Sequence, residues 1–96
     1  MYENILKANL GKVVTVKTTA GIELIATLTG YDEKKFTLTL DKPRLVVITE
    51  DEVAVVPYTF TSKSEEVLIL REQYLSVDSA LENSSTDYLE LVKLQS

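Results

Sequence analysis

Residues 30–40, GYDEKKFTLTL, gather the side chains of this chain that are best suited to chemistry. Phe36 offers a π-face on which any nucleobase can stack. It also heads the alternating set Phe36, Leu38, Leu40, and so reads equally as the first core residue of a strand. Thr37 has a single hydroxyl to donate and accept, or is a β-branched residue filling a strand face. Lys34 and Lys35 are either a basic patch for phosphate or a solvated turn. Arg71 stands between a base or phosphate contact and an ion pair with Glu72, Asp32 or Glu33. Glu50-Asp51-Glu52 resembles a cation cluster only superficially. Without ligands converging from elsewhere it is a solvated tip, and no metal site is expected.

Other chemistries lack their residues. The sequence has no cysteine and no histidine, which removes disulfides, Cys/His metal sites, thiol nucleophiles and imidazole acid–base catalysis. With no glycine-rich phosphate loop and no nucleophile beside a base, neither an enzyme nor a cofactor is expected. No apolar run reaches the ~20 residues of a membrane span, and MYENILKANLGK lacks the basic-then-apolar order of a signal peptide. A soluble cytoplasmic domain with no membrane partner is the expectation.

Charge narrows the partners. The net charge is -5, split unevenly: residues 1–49 hold seven Lys/Arg against five Asp/Glu, and residues 50–96 hold three against ten. Generic nucleic-acid binders are basic because phosphate contacts dominate their affinity. Any RNA contact here must use a local patch in the first half.

The elements that must position these residues follow from periodicity. At 96 residues, 45% of them hydrophobic, the chain is one domain that buries about 60–65% of its unfolded surface. Its core is thin, and oligomerisation would supplement it. Residues 2–10 carry helical spacing, with Gly11 as a stop. Val14, Val16 and Thr18 alternate, Ala20-Gly21 turns the chain, and Leu24, Ala26 and Leu28 resume the alternation. Gly30–Lys35 is a turn, and Phe36, Leu38 and Leu40 form the next strand face. Asp41-Lys42-Pro43 interrupts the pattern. LVVI (45–48) and VAVV (53–56) flank TEDE as a hairpin. Pro57 and TSKSEE (61–66) form a break, and VLILREQYLSV (67–77) reads strand, turn, strand. In the tail, Asp87 with Glu90 resembles a capping signal, and Tyr88, Leu91 and Val92 share a helical face; the alternation of Leu89 and Leu91 fits a strand almost as well, and the helix is the favoured reading. One helix followed by short strands suggests a small antiparallel barrel.

This order resembles the Sm-like family of ring-forming barrels, which includes the Sm, LSm and Hfq proteins. The match runs Leu6, Leu10-Gly11-Lys12, Val14, Val16, Gly21, Leu28, Gly30-Tyr31-Asp32, Leu38 and Leu40, then Leu70-Arg71-Glu72-Gln73-Tyr74-Leu75 for the second motif. The chain also looks like the short acidic Sm-like proteins of marine cyanophages, which would place it in a host cytoplasm. The resemblance implies a mainly β fold: an N-terminal helix, then a strongly bent five-stranded antiparallel SH3-like (Sm-fold) barrel over residues 1–78. Residues 79–96 are then a C-terminal extension, read as helical. It further implies that strand edges pair between neighbours in a homo-oligomeric ring of about five to seven subunits, with Val67, Ile69, Tyr74, Leu75 and Val77 at the interface. The implied single-stranded RNA slot at the pore is Lys34, Lys35, Phe36, Thr37 and Arg71. The departures concern that slot and the bend. Thr37 replaces an asparagine, Glu72 a glycine, Ala26 the glycine that bends the second strand, and Ala20 the aspartate before the turn glycine. Two functions therefore stay open: a structural or macromolecular-interaction ring that binds RNA weakly or not at all, with other proteins as partners, and an RNA-binding ring.

Overall fold

The computed structural model describes residues 2–48, 50–57 and 66–95. Helix α1 (Tyr2–Asn9) ends at Gly11, whose φ of +82° is a left-handed conformation that glycine adopts without a Cβ clash. Leu6 and Asn9 of α1 are buried. The Asn9 side-chain amide donates to the Ile5 carbonyl, and its Oδ1 accepts from the Ser79 hydroxyl, both at 2.8 Å. The helix is thereby tied to the end of the last strand.

Among the described residues six strands follow: β1 (Val13–Thr18), β2 (Glu23–Asp32), β3 (Thr37–Ile48), β4 (Val53–Pro57), β5 (Glu66–Ile69) and β6 (Tyr74–Ser79). Every pairing is antiparallel, in the order β4-β3-β2-β1-β6, with β5 also on β3. β5 pairs with residues 38–41 of β3 and β4 with residues 44–48, so the two share one sheet position in succession. Six segments thus fill five positions, which is the five-stranded bent barrel that was expected. Val14, Val16, Leu24, Ala26, Leu28, Leu38 and Leu40 are fully buried, as their alternation requires. Leu6, Ile69, Tyr74 and Val77 complete this core.

Two bulges supply the bend that Ala26 does not. Between Ile25 and Thr27 the partner residue steps from Arg44 to Asp41, leaving an extra residue in β3, and Lys42 there has a φ of +49°. Between Leu28 and Gly30 the partner steps only from Leu40 to Thr39, so the extra residue lies in β2. Bulges sharpen the local twist and bend the strand that carries them. Asp41-Lys42-Pro43 is therefore a bulge within a continuous β3 and not an interruption; proline, lacking an N–H, is tolerated there.

The tail forms helix α2 (Glu82–Gln95), and it begins five residues before the capping signal read at Asp87. Tyr88 and Val92 pack on Ile25, with Val13, Val46, Val55 and Ala80 around them. The Tyr88 hydroxyl donates to the Asp41 and Lys42 carbonyls at 3.0 and 2.9 Å, capping the β3 bulge. β2 is consequently covered on both faces, with Leu24 and Ala26 toward the barrel core and Ile25 toward α2. Other boundaries also move. β2 runs through Asp32, so the turn is 33–36, and Pro57 ends β4 opposite Arg44 in place of a break. Thr49 and the TSKSE part of the second break lie outside the described residues, and Glu66 opens β5.

The Tyr88 latch gives a stability prediction. Burial raises the Tyr88 pKa above its ordinary value, because desolvation penalises the phenolate. Above pH of about 10 the unfolded chain ionises while the native chain holds its proton, so this contribution is present at neutral pH and is lost as pH rises. Tyr88→Phe should cost about 1 kcal/mol in urea unfolding at pH 7 and flatten the alkaline fall in stability. An unchanged alkaline profile in the variant would show that the hydroxyl is not latching the bend.

Candidate functional site

Sheet register brings the two motifs together. Leu38 of β3 sits opposite Ile69 of β5, so the residues just before Leu38 meet those just after Ile69. The turn 33–36 thereby lies beside the 3₁₀ turn Arg71–Gln73 that joins β5 to β6.

Each turn is fixed by its own hydrogen bonds. The Asp32 carboxylate accepts from the backbone N–H of Lys34 at 2.9 Å and of Lys35 at 3.1 Å. This Asx-type turn is the local chemistry for which aspartate is favoured at such positions. It leaves both lysine side chains exposed. On the other side, Gln73 Oε1 accepts from the Leu70 N–H at 2.9 Å. The Thr19 hydroxyl donates to the Glu72 carbonyl at 3.1 Å, and the Thr19 N–H to the Gln73 carbonyl at 3.0 Å.

Tyr74 joins the two turns. Its ring is 1% exposed in the core, and its hydroxyl donates to the Phe36 carbonyl at 2.9 Å. The Arg71 guanidinium lies 5.5 Å from the centroid of the same ring, and its Nη1 donates to the Tyr74 carbonyl at 3.4 Å. Arg71 is thus steered by a cation–π contact. Among the described residues it forms no ion pair with Glu72, Asp32 or Glu33.

Phe36 is not the first core residue of β3. It sits in the turn with a φ of +56° and is 49% exposed. A bulky residue in the left-handed region is uncommon and costs about 1–2 kcal/mol. The Tyr74 bond to its carbonyl and the Asp32 turn hold it there with its side chain half-exposed. Thr37 is half-buried at the start of β3, opposite Asp32. The five candidate RNA-slot residues are therefore brought together. Charge is balanced around them: Lys34, Lys35 and Arg71 share the two turns with Asp32, Glu33 and Glu72.

The interface candidates divide. Ile69, Tyr74 and Val77 are core residues at 3, 1 and 7% exposure, and Val67 is half-buried. The first three side chains are spent inside the subunit, and Val67 packs against the same core. Leu75 is the exception. β6 bulges opposite Lys17/Thr18, and Leu75 points outward at 70% exposure. Leu68 and Leu70, left out of the interface candidates although Leu70 opens the second motif, are 57% and 40% exposed on the neighbouring segment. Alternation around buried Ile69 is the signal that would have found them.

Comparison with solved structures identifies the architecture. The chain matches a heptameric archaeal Sm protein with a TM-score of 0.58 and 18% identity, over 79% of this chain and 96% of that one. It matches the SmAP1 heptamer of P. aerophilum with a TM-score of 0.60 and 18% identity, over 82% and 92%. A chain of the NatC complex bound to CoA aligns with a TM-score of 0.55 and 15% identity, over 88% and 92%. No protein-family model and no curated protein matches at the level of sequence. The fold is the Sm fold.

Tyr74→Phe should separate the bridge from the core. The ring stays, the bond to the Phe36 carbonyl goes, and stability should drop by about 0.5–1.5 kcal/mol. Amide exchange should accelerate in residues 33–37 more than elsewhere. Uniform acceleration across the sheet would mean that Tyr74 is core filling and does not hold the turn.

Proposed function

We propose that this chain is the subunit of a closed homo-oligomeric ring of about five to seven copies, serving as a structural or macromolecular-interaction scaffold that binds RNA weakly. The observation that carries this reading is a pair of open edges. Among the described residues β5 is bonded only to β3 and β6 only to β1. Each therefore offers a row of backbone donors and acceptors, beside exposed Leu68, Leu70 and Leu75. Edges of this kind template pairing with another chain, and a ring satisfies both edges of every subunit at once. The heptameric archaeal proteins that share the fold support the same arrangement. On this reading the chain stands with the short acidic Sm-like proteins of marine cyanophages and acts in the host cytoplasm.

A second reading, an RNA-binding ring, is favoured by the half-exposed Phe36, whose carbonyl is tied by Tyr74, the residue on which Arg71 lies. Against it stand the balanced charge of the two turns, the single hydroxyl of Thr37 in place of an amide, and the overall acidity, which slows encounter with a polyanion.

Native mass spectrometry and sedimentation at micromolar concentration should find a single closed oligomer. Leu75→Lys should release a folded monomer, because that side chain contributes nothing to the subunit's own core. A compact wild-type monomer would remove the ring.

Short U-rich or A-rich RNA should bind with a Kd of about 10 µM or weaker at physiological salt, and with a steep salt dependence. Thr37→Asn with Glu72→Gly should tighten binding about tenfold, and Phe36→Ala in that background should reverse the gain. Tight binding by the wild-type chain would favour the RNA reading over the scaffold.

A further inference from the structure

A groove runs between α2 and the β3–β4 hairpin, on the face of the sheet away from the barrel core. Its volume is about 610 Å³, in the range of built binding pockets. The floor is Ile25, Val46 and Val55, with Tyr88 and Leu91 as the α2 wall. Its lips are Ile48 and Val53 at the hairpin end, 73% and 64% exposed. α2 covers the base of the hairpin and leaves these two apolar side chains in water. Their exposure has no role in the subunit's own packing.

The charged side chains that line the groove are acidic, with Lys17 opposite Glu23 and buried Arg44 opposite Ile25 as the nearby bases. Glu23 and Asp87 belong to its lining, which among the described residues includes no lysine or arginine. Glu50, Asp51 and Glu52 form the hairpin tip, and α2 adds Glu82 and Glu90 against Lys93. An apolar trough with an acidic rim repels RNA and anionic lipid. It also disfavours residues 50–96 of a second copy, which carry ten acids to three bases, and the net charge of -5 opposes self-docking as a whole. Complementarity selects an apolar stripe flanked by lysine or arginine.

We propose that this groove docks a cationic amphipathic segment of a partner protein. The segment lays apolar anchors at helical spacing between α2 and the hairpin, with its basic residues on the Glu23/Asp87 rim. The 14 residues of α2 give a wall about 21 Å long, enough for two or three anchors. The groove is built from β1, β2, β3, β4 and α2. It uses neither β5 nor β6, so docking leaves those two edges free and does not rest on the ring; β4, which lines it, is paired only with β3 among the described residues.

The test is fluorescence anisotropy of the full chain with a labelled peptide of about 16 residues, leucines at helical spacing and lysines elsewhere. Two controls accompany it: a scramble of the same composition and a version with glutamate for lysine. The amphipathic lysine peptide should bind saturably and about tenfold or more tighter than either control. Ile48→Ser with Val53→Ser should weaken it about tenfold while leaving the far-UV spectrum and Tm in place, since both side chains are exposed. Glu23→Lys with Asp87→Lys should lose the lysine peptide and gain the glutamate one. Equal binding of the scramble would reduce the effect to bulk charge and overturn the proposal. So would no saturation by about 100 µM, or indifference to the serine variants. Self-association of the wild-type chain that the serine variants abolish, with no peptide binding, would assign the groove to a second copy and also overturn it.

Discussion

Backbone polar groups in a sheet must find partners both where the ladder bends and where it ends. In this chain those two demands are met in different ways, and the rest of the structure follows from the difference. At the bend, β3 bulges at Lys42, and the Tyr88 hydroxyl reaches the Asp41 and Lys42 carbonyls. In β2 the bulge falls between Leu28 and Gly30, where the Thr29 hydroxyl donates to the Thr39 carbonyl at 3.2 Å. The bend is thereby satisfied within the subunit, and α2 is held on the outer face as a consequence. At the ends of the ladder, β5 and β6 are paired on one side only among the described residues.

Much of this was legible in the sequence because one face of each inner strand is buried. Val14/Val16, Leu24/Ala26/Leu28 and Leu38/Leu40 alternate without exception, and a one-residue slip would expose the whole set. The tail helix was only partly legible, since Tyr88, Leu91 and Val92 share a helical face while Leu89 and Leu91 alternate as a strand would. Features that depend on a partner distant in sequence were not. Nothing near Asp41-Lys42-Pro43 shows that Tyr88, 46 residues on, will cap the carbonyl there, so the segment reads as a break. Likewise Phe36 fits the alternation of its strand. It leaves the core only because Asp32 closes the preceding turn and Tyr74 holds its carbonyl. Tyr74 itself looked like an interface residue because its motif position says nothing about which way a bulged strand turns its side chains.

The candidate slot shows a similar balance. Its geometry is kept: Phe36 is presented, Arg71 is stacked on Tyr74, and both turns are pinned by backbone hydrogen bonds. Its recognition chemistry is thinned, since a hydroxyl stands where a two-point amide contact would be and each basic residue has an acidic neighbour. A left-handed phenylalanine is held at a cost to stability, offset by the Asp32 turn and the Tyr74 bond. Stacking contributes about 1–3 kcal/mol per base; alone, that is a weak grip.

The central claim is that the open edges of β5 and β6 meet between subunits, and the absence of cysteine from the sequence permits a direct measurement. Cysteines placed singly and together at Leu68 and Leu75, both exposed, would be oxidised under mild conditions and the products resolved by denaturing electrophoresis. Edge pairing in a ring predicts that the double variant gives a ladder of covalent oligomers stopping at one closed size, while each single variant goes no further than dimers. Monomers alone from the double variant, or a ladder with no upper limit, would contradict the closed ring.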